Sequence, residues 1–221
     1  MLFGGNPNAG RAIFGYGIWS LDSSLQSITN LVSNTGVVAN NTTGVGTARR
    51  ELAAAGYGVD KGIFGYGNTS GSYVSLTNLV SNTGVVSADV AGVGTARRML
   101  SAAGYGTDKA IFGFGDVAGT GAVSLTNLVS NTGVVSADVT GVGSVRRTRA
   151  AAGYGTDKAI FGYGNGPTSL TNLVSNTGVV SADVTGVGTA RESLAAAGYG
   201  GDKAIFGFGV IPGPNTNVSV T

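Results

Sequence analysis

Charged residues recur at three fixed places in this chain and bound the chemistry open to it. Asp89, Asp138 and Asp183 are single acids at matching positions of a repeated phrase. Asp60, Asp108, Asp157 and Asp202 each stand before a Lys in a turn. Arg49, Arg97, Arg146 and Arg191 mark the third place. A ring of carboxylates can hold a cation or work as acid and base, and a ring of guanidiniums can hold an anion. One acid per unit is few for a calcium site. The chain has no His and no Cys, so the commonest bases, nucleophiles and soft metal ligands are missing. The reading is therefore structural. The turn acids shape hairpins and pair with the adjacent Lys, the single acids make strand-end hydrogen bonds, and the arginines bond carbonyls between units. No catalytic residue, metal or cofactor is assigned, and the chain is read as not an enzyme. The phrase GVGTAR at Gly44–Arg49 is half of a dinucleotide fingerprint without the third glycine or a following helix, a weak match.

The second set of candidates is irregular. Trp19 is the only Trp, and Tyr73 stands alone in a variable stretch. Such rings anchor sugars or protein partners. Arg50, Arg98, Arg147 and Arg149 follow the recurrent arginines and supply charge-assisted donors. These six are the candidate binding residues.

The elements that must position them form an internal repeat. The sixteen residues SLTNLVSNTGVVSADV occupy Ser75–Val90 and return unchanged at Ser124–Val139 and Ser169–Val184. From Asn30, Asn78, Asn127 and Asn172 to the next marked Phe (Phe64, Phe112, Phe161, Phe206) the distance is always 34 residues. From Phe14, Phe64, Phe112 and Phe161 forward to the Asn it is 16, 14, 15 and 11. All length variation falls between FGYG and TNLVSNTG. A period in the forties marks a solenoid, array or propeller. Identical strands keep neighbouring units interchangeable; recent duplication accounts for the near-identity equally well.

Each unit reads as four strands. Strand A is LAAAGYG, too short for a stable helix despite its alanines. Strand B is KAIFGYG, whose alternation places Ala110, Phe112 and Phe114 on one side. Strand C is LTNLVSN, closed by an Asn-Thr-Gly turn, and strand D is VVSADV. The start, LFGGNPNAGRAI, aligns without gaps to LAAAGYGVDKGI, with Pro7 and Gly10 at the turn. Four-stranded sheets repeated radially make a propeller. The expectation is one all-β domain over 1–221, a five-bladed β-propeller with blades near 1–47, 48–95, 96–144, 145–189 and 190–221. The last blade has A, B and the start of C at Thr216 and Asn217, and lacks its outer strand. A–B and C–D turns then share one face of the disc, and they barely vary. B–C loops and D–A connections share the other, and they carry the irregular candidates.

Composition sets outer limits. Apolar residues are 42% of 221, too many for a disordered tail. Charged residues are 11% and the net charge is +2. Basic residues are spread along the chain, which argues against nucleic acid. The N-terminus lacks a signal-peptide pattern, and no run of about 18 apolar residues predicts a membrane span.

The stretch TARRMLSAAGYGTDKAIFGFG, Thr95–Gly115, resembles a kelch repeat, an Arg before a small-residue strand and then an apolar strand ending in glycines. Gly-Tyr-Gly or Gly-Phe-Gly stands where kelch repeats carry a Gly-Gly pair. The phrases TNLVSNTGVV, GVGTAR and LAAAGYGTDKAIFGYG are also similar to repeats in structural proteins of tailed bacteriophages. That resemblance implies a virion component, on the tail or capsid surface, whose partners are other virion proteins and a host receptor or glycan. Homo-oligomers fit this setting. The other reading is a free carbohydrate-binding propeller with sugar sites between blades; a Trp and a Tyr that each occur once count against repeated sites.

Overall fold

The computed structural model describes residues 11–148, 150–166, 168–211 and 216–217. Every regular element among them is a strand. The first unit contributes β1 (Ala12–Ile18) and β2 (Leu25–Val32). The second has β3 (Ala53–Tyr57), β4 (Lys61–Gly65) and β5 (Thr77–Val80). The third has β6 (Ser101–Tyr105), β7 (Lys109–Gly113), the small hairpin β8 (Asp116–Val117) and β9 (Gly121–Ala122), and β10 (Thr126–Val129). The fourth has β11 (Ala150–Tyr154), β12 (Lys158–Gly164) and β13 (Thr168–Val174). The fifth has β14 (Ala195–Tyr199), β15 (Lys203–Gly207), β16 (Val210–Ile211) and β17 (Thr216–Asn217). The first strand A expected before Arg11 lies outside the described residues.

Each of the three central units is an antiparallel meander, A beside B beside C. Its register is the same each time: Ala54, Phe64 and Asn78 share a row, as do Ala102, Phe112 and Asn127, and Ala151, Phe161 and Asn172. The alanine run is extended, as read from its length. Segment D lies along C through isolated bridges, Val80 to Val86 and Thr77 to Val90 in the second unit. Three steps on C face four on D, so D carries a bulge. There the Ser87 hydroxyl accepts the Leu79 N–H at 2.9 Å, which keeps the ladder satisfied.

Alternation in strand B fails at its end, which corrects the expected sidedness. Phe112 packs back among Ala53, Ile63 and Tyr66 of the second unit, whereas Phe114 packs forward with Ile111 against Phe161 of the fourth. The cause is a left-handed backbone at the ring before the last glycine: Tyr16, Tyr66, Phe114, Tyr163 and Phe208 all have φ between 60° and 64°. This turns the ring to the opposite face, and the following Gly, at φ 112° for Gly115, absorbs the return.

The apolar cores consequently lie between units. One joins the first to the second (Ile13, Ala54, Phe64, Val80), and others join second to third, third to fourth and fourth to fifth. In each, a Phe packs on the forward ring of the unit before, edge-on for Tyr16–Phe64 at 5.1 Å and Phe114–Phe161 at 5.2 Å, tilted for Tyr66–Phe112 at 5.2 Å and Tyr163–Phe206 at 5.5 Å. The same Phe lies over a glycine. A methyl at Gly113 would come within 2.6 Å of the Phe161 ring, so the approach requires Gly. The inner A strands also touch, the Gly56 carbonyl oxygen lying 3.4 Å from where a Cβ on Gly104 would be.

The expected match of Thr216 and Asn217 to the start of strand C is corrected. Asn217 pairs with Val210, where the pattern of Phe161 with Asn172 would set it opposite Phe206. Val210 and Ile211, a β-branched pair standing where the fourth unit has Asn165 and Gly166, form their own two-residue ladder instead. No described helix is long and apolar enough to cross a membrane.

Candidate functional site

The recurrent Arg, Asn and Asp form one network in each of the three central units, built around a buried guanidinium. Arg49 donates from Nε to the Tyr66 carbonyl at 2.8 Å, from Nη1 to the Thr47 carbonyl at 3.0 Å and from Nη2 to Asn78 Oδ1 at 2.6 Å. Asn78 donates to Asp89, and Asp89 accepts the Thr47 N–H and hydroxyl from the connection to the preceding unit. Arg97 with Asn127 and Asp138, and Arg146 with Asn172 and Asp183, repeat it. Each guanidinium also covers a ring of the unit before, Arg49 on Tyr16 at 4.5 Å and Arg97 on Tyr66 at 4.4 Å. Burial works against ionisation of these three aspartates. The hydrogen bonds from Thr47, Thr95 or Ser144 and from the Asn outweigh it and hold the carboxyls below the usual range. Burial pushes the Tyr66 hydroxyl up to about 12. In the fifth unit Arg191 lies over the Tyr163 ring at 4.9 Å and donates to the Phe206 carbonyl at 3.4 Å, but its Nε has no hydrogen-bond partner.

The turn acids lie together with the Asn-Thr-Gly turns. Asn82 donates to Asp60 and Asn176 to Asp157, both at 3.0 Å, and Lys109 and Lys158 pair with the neighbouring Asp. The A–B and C–D turns thus form one face. On it Val37, Val85, Val134 and Val179 are exposed at one place per unit.

B–C loops and D–A connections form the other face. Arg50 exchanges backbone hydrogen bonds with Asn68, Arg98 with Asp116 and Glu192 with Val210. Three of the sequence candidates meet there around an acid that sequence reasoning passed over. Asp116 is 4% exposed. It accepts from Arg147 Nε at 2.8 Å, from Arg98 Nε at 3.3 Å and from the Tyr73 hydroxyl at 3.2 Å. Arg98 lies over the Tyr73 ring at 4.8 Å and pairs with Glu51 at 2.9 Å. Burial opposes ionisation of Asp116, but the bonds from Arg147, Arg98 and Tyr73 hold its carboxyl low. The signal was present in the comparison of copies: Asp116 stands where the other units have Ile18, Asn68, Asn165 and Val210.

Beside this cluster runs an open groove of about 920 Å³. Ile18 and Leu25 of the first unit, Arg50, Ser70 and Tyr73 of the second and Val117 of the third border it. Arg50 Nε is buried and has no hydrogen-bond partner. Trp19 is half-exposed next to Ile18, its backbone N–H donating to the Ser24 carbonyl at 2.8 Å. Trp19 and Arg98 therefore emerge on the same face. Arg149 lies outside the described residues. The arrangement offers a guanidinium donor, hydroxyls and a small apolar floor, a surface suited to binding. Neither a protein-family model nor a curated protein matches this chain.

Proposed function

We propose that the protein is a non-enzymatic structural module of a phage particle, an incomplete kelch-like propeller that presents its irregular face to a partner. The observation that carries the reading is the division between faces. Among the described residues the near-constant turns sit on one side and the irregular loops on the other, beside a groove bordered by Arg50. The invariant side, with its periodic exposed valines, suits docking on the particle. The groove suits an acidic or hydroxyl-rich group on a host receptor, a glycan or another virion protein. Tyr73 is already covered by Arg98, so the groove favours polar contacts over sugar stacking.

The test joins location to binding. Mass spectrometry of purified particles should detect the chain, and the isolated chain should compete with particles for host cells. Arg50→Ala should weaken that competition at least tenfold, the loss of a charge-assisted hydrogen bond of about 1.5–3 kcal/mol, without changing the melting temperature. Absence from particles together with no competition would defeat the proposal. Binding to a glycan array by a chain absent from particles would favour the free lectin.

A further inference from the structure

Every contact between units has two unlike halves. The forward half is a ring carried on a left-handed residue (Tyr16, Tyr66, Phe114 or Tyr163) with a glycine beside it. The backward half is the Phe of the next unit's strand B. In the two inner joints the rings leave water: Tyr66, Phe112, Phe114 and Phe161 are all 0% exposed, while Tyr16 and Phe206 in the outermost joints are partly buried. At the two ends of the stack, one half of the contact lacks its counterpart among the described residues. Phe14, the backward ring of the first unit, is 39% exposed. Phe208, the forward ring of the last, is 58% exposed, with Ile205 and Tyr199 uncovered beside it. Phe208 has φ 64°, the conformation of its four equivalents, so its ring is set out as theirs are. Stacked-repeat proteins ordinarily blunt such ends with polar residues; here both carry the aromatic groups of the interior joints.

We infer that the chain assembles head to tail, the Phe14 face of one copy stacking on the Phe208 face of a second and repeating between molecules the contact that joins its own units. The occupant is a second copy because the two free faces are the two halves of one joint, already made four times within the chain. Such a contact is heterologous, so it closes into a ring or runs on as a filament according to the rotation at each joint. The inference stands apart from the recognition reading and uses other surfaces, the outer faces of the first and last units.

Sedimentation velocity on the 221-residue chain should show mass growing with concentration. Phe14→Ser and Phe208→Ser each remove an exposed ring and one half of the joint. Each alone should stay monomeric, with the circular dichroism and melting of the parent. Mixed in equal amounts they retain one intact joint between them and should stop at twice the monomer mass. As the chain has no Cys, a Phe14→Cys copy and a Phe208→Cys copy should also cross-link by a disulfide with each other, whether or not the serine variants fold. A parent chain monomeric into the high micromolar range, serine variants that assemble like the parent, or a mixture that fails to pair would overturn the inference. So would a double Phe14→Cys/Phe208→Cys chain that closes on itself as a monomer.

Discussion

Val59 shows what an individual residue contributes here. It occupies a turn position with φ 73° and is exposed, while the fifth unit has Gly201 at the matching place. A β-branched residue in the left-handed region costs about 1–2 kcal/mol. Val59→Asn should therefore raise stability by about 1 kcal/mol in urea titration, since Asn tolerates that region and little packing is lost. The same logic separates the candidate arginines. Arg98 and Arg147 are committed to Asp116, whereas Arg50 borders the groove. Residue type alone made the three equivalent; only the position of one acid in the third loop distinguished them.

At the scale of the element, a strand is held by what its neighbour in the next unit supplies. Arg97 is fully buried and joins strands B and C to the connection before them. Arg97→Met should cost about 3–5 kcal/mol, because it strips a partner from buried Asn127 and leaves Asp138 without its counter-ion. The denaturant midpoint is the measurement. The network also sets a pH window. Asp89, Asp138 and Asp183 have folded values below the usual 3.8, so their contribution is present above about pH 4 and is lost as pH falls through the folded values. Tyr66 acts at the other end. Its folded value of about 12 against 10.0 means a contribution held below pH 10 and lost as pH rises toward 12. Stability measured against pH should be flat between 5 and 9 and fall on both sides, and Tyr66→Phe should flatten part of the alkaline fall. Strands A, B and C and their order were legible in the repeat, because alternation and turn residues are local signals, whereas the expected strand D forms only isolated bridges to C. The reversal at Phe114 was not legible. A bulge with positive φ at a non-glycine residue is stabilised by the ring it reaches in the next unit.

For the whole molecule, stacking of near-identical units implies that they can be exchanged. Residues 96–144 form one repeat period. The forward face of the second unit (Ile63, Tyr66) has the same pattern as that of the third (Ile111, Phe114). Deleting 96–144 should leave a cooperatively folded array whose urea m-value falls by about one fifth, in proportion to the surface lost. A chain that instead unfolds without a transition would show that the units are not equivalent.

The amino-acid sequence determined the all-β class, the repeat boundaries and the grouping of variable loops apart from invariant turns, because these follow from local periodicity and from differences among copies. The tertiary structure decided which side of each strand faces which neighbour, that the cores lie between sheets, that Asp116 engages two of the arginines, and that Phe14 and Phe208 stand uncovered. Those outcomes depend on contacts between residues far apart in the chain, and spacing along one strand does not encode them.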